Sequence, residues 1–171
     1  MREHLGVECE HELYFEFEIN AAVDKVWKTL TTEEGLKSFF SSHVKVEPYP
    51  GGCFEILFDM EAPVGSRGSE GMIILAMEEN QLLSFTWNSS PILPDLRDQM
   101  TTVVIHLYEK NEKTLIIFRN VGYGYSDEWQ KSRAYFKNAW GRIVLPRLKY
   151  ALENEPYDWL NRPHVPDVEY K

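Results

Sequence analysis

The sequence contains only two cysteines, Cys9 and Cys53. At most one disulfide can form, and so sparse a pair in an acidic chain reads as two thiols rather than a disulfide framework. Long apolar runs are missing too, and nothing approaches the roughly 20 residues that span a bilayer. The opening MREHLGVECEHEL carries charges where a signal peptide needs an apolar stretch. These features predict a cytoplasmic protein without a membrane span. Basic residues are in deficit, 18 Lys and Arg against 27 Asp and Glu, for a net charge of −9. A nucleic-acid binder needs a basic face, so that class is excluded as a partner. GxSxG and GxGxxG are both absent, which removes the common nucleophile-elbow and dinucleotide signatures. Glu8-Cys9-Glu10-His11 mixes potential metal ligands, but no CxxC or HxxxH elsewhere completes a site. It reads as a charged lead-in to a strand, and neither metal nor other cofactor is expected.

What is present is a chain rich in aromatics. Its 171 residues suit one domain, and 43% hydrophobic with 13% aromatic residues is enough to offset chain entropy and exclude global disorder. Leu13, Phe15, Phe17 and Ile19 alternate with polar residues, as on a strand with one buried face. Asp24 is placed to cap a short helix through Trp27 and Leu30, and Thr32-Glu33-Glu34 opens a second one carrying Leu36, Phe39 and Phe40. A short strand and turn follow over 41–50, with Pro50-Gly51-Gly52 as the turn. Cys53 to Asp59 alternates with Phe54, Ile56 and Phe58 on one face. Further strands are predicted over 71–78, 82–87, 101–109 and 114–121. Ser126 caps one long helix from Asp127 to about Glu153, with Trp129, Arg133, Phe136, Trp140 and Ile143 in its stripe. Pro146 lies inside this span, and a kink near Arg142 is expected rather than termination.

This order predicts an α+β fold: about six or seven antiparallel strands in a curved sheet, two short helices after the first strand, and a long C-terminal helix over the apolar face. Residues 1–12 form a lead-in, 13–153 the domain, and 154–171 an irregular tail. One helix cannot fill a curved sheet's concavity on both sides, so a cavity walled by aromatic and aliphatic groups is expected between them. The candidate ligand-binding residues are Trp27, Phe39, Phe40, Phe54, Phe58, Trp87, Ile105, Phe118, Asn120, Tyr123, Phe136 and Trp140. Arg119, Tyr125, Arg133 and Asp59 are further polar groups that can converge there. Residues 127–153 carry a net charge of +3, either as a solvated face or as a site for an anionic ligand or acidic partner.

The arrangement resembles the helix-grip fold of the START-like, or SRPBCC, superfamily. Within it the chain is most similar to the family named for the activator of the heat-shock chaperone ATPase, in its stand-alone form. The resemblance rests on Ala22-Val23-Asp24-Lys25-Val26-Trp27, Gly51-Gly52-x-Phe54, Gly71 before a strand, and Leu83-x-Phe85-x-Trp87. Thr114-x-Ile116-x-Phe118-x-Asn120-x-Gly122 and the helix from Trp140 to Glu153 complete it. It covers about 13–153. The family often has paired Trp where this chain has Phe39-Phe40, and His where it has Asn120. The chaperone activator carries an additional N-terminal domain for which this chain has no room. The superfamily includes lipid carriers, cyclases, hormone receptors and co-chaperone domains, so function must come from the site.

Proton-transfer groups are few. His106 is predicted on the outer face of its strand, opposite Ile105 and Leu107. His43 starts a strand near the cavity mouth, and His4, His11 and His164 lie in terminal segments. The sequence therefore favours non-enzymatic binding of a hydrophobic small molecule. Two alternatives stay open. One is a chaperone-regulating or self-associating interaction domain. The other is a cyclase- or hydrolase-like enzyme on a polyketide-like substrate, with His43, Asn120 and Tyr123 as its first candidates.

Overall fold

The computed structural model describes residues 11–171, so Glu8, Cys9 and Glu10 of the lead-in lie outside the described residues. Seven strands form: β1 (Glu12–Ile19), β2 (His43–Val46), β3 (Phe54–Leu57), β4 (Ile74–Glu78), β5 (Leu82–Trp87), β6 (Thr101–Lys110) and β7 (Lys113–Val121). Five make an antiparallel sheet in the order β1-β7-β6-β5-β4, and β2 pairs with β3 in a separate ladder. The single sheet of six or seven strands is thus divided. The two ladders are joined through backbone bonds outside the named strand pairings: Gly51 N–H donates to Ile74 C=O (2.8 Å), Ile74 N–H to Gly52 C=O (2.9 Å) and Phe54 N–H to Met72 C=O (2.8 Å).

Alternation decides which face is buried. Leu13, Phe15, Phe17 and Ile19 of β1 all face inward, as do Val103, Ile105 and Leu107 of β6 and Ile116, Phe118 and Asn120 of β7. Register places Phe118 opposite both Phe15 and Ile105. His106 falls on the other face of β6, half-exposed, as its period requires.

Helix α1 (Val23–Thr31) starts from Ala22 with no side-chain cap. Asp24 does not cap it; it sits inside the first turn, where an acidic group still favours the positive helix end. Helix α2 (Glu33–Lys37) is capped by Thr32, whose hydroxyl accepts from Gly35 N–H at 3.1 Å. A Cβ on Gly35 would lie 2.4 Å from the Thr29 backbone, so only glycine lets the two helices meet this closely.

The long helix runs as α3 (Asp127–Asn138), a π-helical turn over Ala139–Val144, and α4 (Leu145–Glu153). Ser126 caps it, accepting from Trp129 N–H. Around Arg142, where a kink is expected, the helix takes this π turn and continues. Pro146 has no N–H, and its ring crowds the carbonyl four residues earlier, that of Arg142. Widening the backbone just upstream relieves that conflict without ending the helix. Gly141 lies in the turn, where an added Cβ would come within 2.8 Å of the Phe15 ring.

The tail has no helix or strand, yet it is not a free appendage. Trp159 Nε1 donates to Lys37 C=O (2.7 Å), and Tyr157 N–H to Ser38 C=O (2.8 Å). Further on, Tyr170 packs edge-on against Phe15 and Phe17 and donates its hydroxyl to Gly141 C=O (2.6 Å). Lys171 N–H then meets Glu16 C=O (2.9 Å) on the open edge of β1. The tail's own aromatic residues drive this return, burying rings that would otherwise face water.

Candidate functional site

The inner face of β7 ends in a polar cluster. Asn120 is fully buried. Its Oδ1 accepts from the Tyr123 hydroxyl (2.5 Å) and from Trp140 Nε1 (3.1 Å), while its Nδ2 donates to Thr101 Oγ1 (3.0 Å) and Thr102 C=O (3.2 Å). An amide has two acceptor positions and two donor protons, and all four are engaged. Burial pushes the Tyr123 phenol far above its ordinary value. Asn120 and Tyr123 therefore tie β7, β6 and the long helix together, with no bonding capacity left over at the amide.

Between helix and sheet, the expected hollow is filled. The space enclosed by Phe39, Phe54, Ile105, Phe118, Trp140 and Leu148 amounts to about 10 Å³, at the lower limit of the roughly 10–15 Å³ that one water needs. Aromatic packing is the cause. Trp140 stands at the centre, with ring centroids 4.8 Å from Phe118, 5.0 Å from Trp87 and 5.7 Å from Phe40. Phe54 stacks on Phe85 at 4.1 Å. Rings on β3, β5, β7 and the long helix, with Ile105 and Leu148 between them, fill this space.

The open space lies beside this core. A groove of about 260 Å³ runs between the long helix and the end of β5. Phe40, Trp87 and Trp140 form its floor, and Phe40 and Trp140 also bound the interior space. Phe136, Ala139 and Val144 form the helical wall, Phe58, Tyr135 and Ile143 the exposed rim, and Arg147 the one charged residue. Trp87 is 3% exposed, and its Nε1 is buried without an acceptor among the described residues. An indole N–H in that state lacks the compensation a buried donor normally has.

The candidate residues therefore divide among several places. Phe39, Phe54, Ile105 and Phe118 pack the interior; Phe58, Trp87 and Phe136 line the groove; Phe40 and Trp140 do both. Trp27 is half-buried on α1 and lines neither space. Phe58 does not continue the buried face of Phe54 and Ile56. It lies one residue beyond β3, where the chain turns to bond Arg67 C=O, and is 55% exposed. Arg119 faces outward and pairs with Glu12, and Asp59 bonds the local turn at Glu61 N–H. Tyr125 is exposed on the His11 ring, while Arg133 Nε donates to Glu12 C=O. None of these four converges on the interior. His43 is exposed and bonds Ser42 rather than the Asn120–Tyr123 pair.

Tyr135, Ala139, Val144 and Arg147 were absent from the sequence-based set. The basic character of 127–153 pointed toward Arg147, but its placement depends on the tail. Its guanidinium lies 4.4 Å from the Tyr157 ring centroid and 5.2 Å from that of Trp159. No helix among the described residues is long and apolar enough to cross a membrane.

Comparison with known proteins places this architecture. Solved structures share the fold at low identity. The Aha1 dimer from Colwellia psychrerythraea is 18% identical, with 84% of this chain and 97% of that chain covered and a TM-score of 0.63. A protein of Nitrosomonas europaea is 21% identical over 87% and 98% of the two chains, with a TM-score of 0.65. An HSP90 activator from Plasmodium falciparum is 15% identical over 83% and 96%, with a TM-score of 0.63. No curated protein matches. The model of the family described as Activator of Hsp90 ATPase homolog 1-like protein matches residues 20–153. That span is most of the chain and includes both the groove and the long helix, so the protein belongs to the Activator of Hsp90 ATPase homolog 1-like family, with its helix-grip fold.

Proposed function

We propose that this protein binds a hydrophobic or amphipathic small molecule, without chemical turnover, in the groove beside the long helix rather than beneath it. The binding unit is residues 13–153, with 1–12 as a lead-in and 154–171 as a brace, and it works in the cytoplasm without metal or nucleotide. The observation that carries this reading is the aromatic groove itself. Its floor is continuous with the core, its rim exposes Phe58, and one of its tryptophans keeps a buried N–H with no acceptor among the described residues. An occupant would cover apolar surface at about 25 cal/mol per Å². Trp87 and Trp140 report on it directly. Titration with short-chain lipids and aromatic metabolites, followed by tryptophan emission, should shift and saturate for at least one compound. Loss of that response in Phe58→Ser would localise it. No response to any member of the panel refutes the reading.

A second reading is favoured by the family match and by the HSP90 activator among the structural neighbours. It makes the domain a chaperone-binding module that uses either the groove rim or the outer sheet face around Val104 and Tyr108. The same outer face would serve self-association. Stimulation of a chaperone ATPase by the purified protein, lost on Tyr108→Glu or Phe58→Ser, supports this reading. Unchanged ATPase rates remove it.

A further inference from the structure

The charge of the groove restricts what it holds. Its walls contain one ionisable cation and no carboxylate. Among the described residues the Arg147 side chain enters no ion pair and no hydrogen bond. Its guanidinium is nevertheless held in place, over the Tyr157 ring at 4.4 Å and near that of Trp159 at 5.2 Å. A cation–π contact supplies no oxygen acceptor to the guanidinium N–H groups, and those donors suit the two oxygens of a carboxylate. A pre-positioned arginine also loses little side-chain entropy when it binds.

We infer that the groove takes a small free monocarboxylate, with its apolar body against Phe58, Trp87 and Phe136 and its carboxylate on the edge of Arg147. This rests on the small-molecule reading above and names the class of occupant. Size points to a small one. At about 260 Å³ the groove falls below the roughly 300–1,000 Å³ of sites that enclose drug-sized ligands, so a short chain or a single ring fits. The tail takes a role as well: Tyr157 and Trp159 position the arginine and do not touch the ligand.

Octanoate and its uncharged analogue octanamide test this by calorimetric titration of the full chain. Octanoate should bind wild type about tenfold or more tightly than octanamide, the factor expected for one charge-assisted contact. Arg147→Gln should remove that advantage by weakening octanoate about tenfold or more, with a smaller effect on octanamide. Phe58→Ser, at an exposed position, should weaken both compounds by a similar factor. Equal affinity of wild type for the two compounds overturns the carboxylate assignment and leaves the small-molecule reading intact. So does equal weakening of both by Arg147→Gln, the pattern of an arginine that only braces the tail. Failure of wild type to bind either compound overturns the carboxylate assignment, and the lipid and metabolite panel then decides the small-molecule reading.

Discussion

Replacing Asn120 with alanine tests the polar cluster most directly. The substitution removes the acceptor shared by the Tyr123 hydroxyl and Trp140 Nε1, which lie 2.5 and 3.1 Å from it. Both donors belong to residues at most 3% exposed, so water cannot replace the lost oxygen. Each stranded donor costs about 1–3 kcal/mol. Thr101 and Thr102 lose a donor, but an acceptor without a partner is the lesser penalty. The expected loss is therefore about 3–5 kcal/mol, a large part of the ~5–15 kcal/mol that stabilises an ordinary domain. Tyr123→Phe alone removes one donor and leaves Asn120 bonded to Trp140, at about 1 kcal/mol. In the double variant the stranded hydroxyl no longer exists, so the two effects should fall short of additivity by about 1–2 kcal/mol. Urea unfolding followed by tryptophan emission measures all three, with the midpoint shifting and the slope constant. A loss below about 1 kcal/mol for Asn120→Ala, or strict additivity, would show that the cluster does not hold the helix to the sheet.

Three other outcomes follow from the same geometry. Burial raises the Tyr123 phenol, so the folded state prefers it neutral; its contribution is complete below the unfolded value of about 10 and declines as pH rises beyond it. Tyr123→Phe should therefore flatten the alkaline fall in the urea midpoint, and parallel curves for the two proteins would contradict this. Gly141→Ala ought to gain about 1 kcal/mol on helix propensity alone, but its Cβ meets the Phe15 ring at 2.8 Å; a net loss of about 1–3 kcal/mol is expected, and a gain in melting temperature would refute the close approach. Tyr170→Ala removes two edge contacts and the bond to Gly141 C=O, so it should destabilise by about 1–3 kcal/mol; an unchanged unfolding midpoint would mean that the tail is not docked.

Strand alternation was the most legible part of the sequence. Phe15, Phe17, Ile105 and Phe118 face inward as their period requires, because a two-residue repeat leaves no other choice once one face is buried. Helix phase was read less well. Ile143 continues the stripe on α-helical spacing, but it is 39% exposed while Val144 is buried, since the π turn alters the rotation between them. Phe58 fails for a related reason: alternation holds only while the strand lasts, and β3 ends at Leu57. The filled interior was beyond reach of topology alone. It depends on how the volumes of Trp140, Phe40 and Phe54 add up in three dimensions, and a linear pattern does not record volume. Arg147 needed two aromatic rings from a segment that carries no periodic signal.

The π turn also carries a consequence for insertions and deletions. Phe136, Trp140, Val144, Leu148 and Leu152 are all buried and recur every fourth residue. At 3.6 residues per turn each such step overshoots a full revolution by about 40°, so an uninterrupted α-helix would carry Leu152 about 160° away from Phe136. The wider coil returns part of that angle and keeps both ends aimed at the sheet. Deleting one residue between 139 and 144 and letting the turn become α-helical would leave 15 steps, about 60° past whole turns, so the downstream apolar residues would stay close to the face they now occupy. Coil width and chain length in this short stretch thus compensate each other: one residue more is taken up by the wider turn, and the two half-helices keep a common phase.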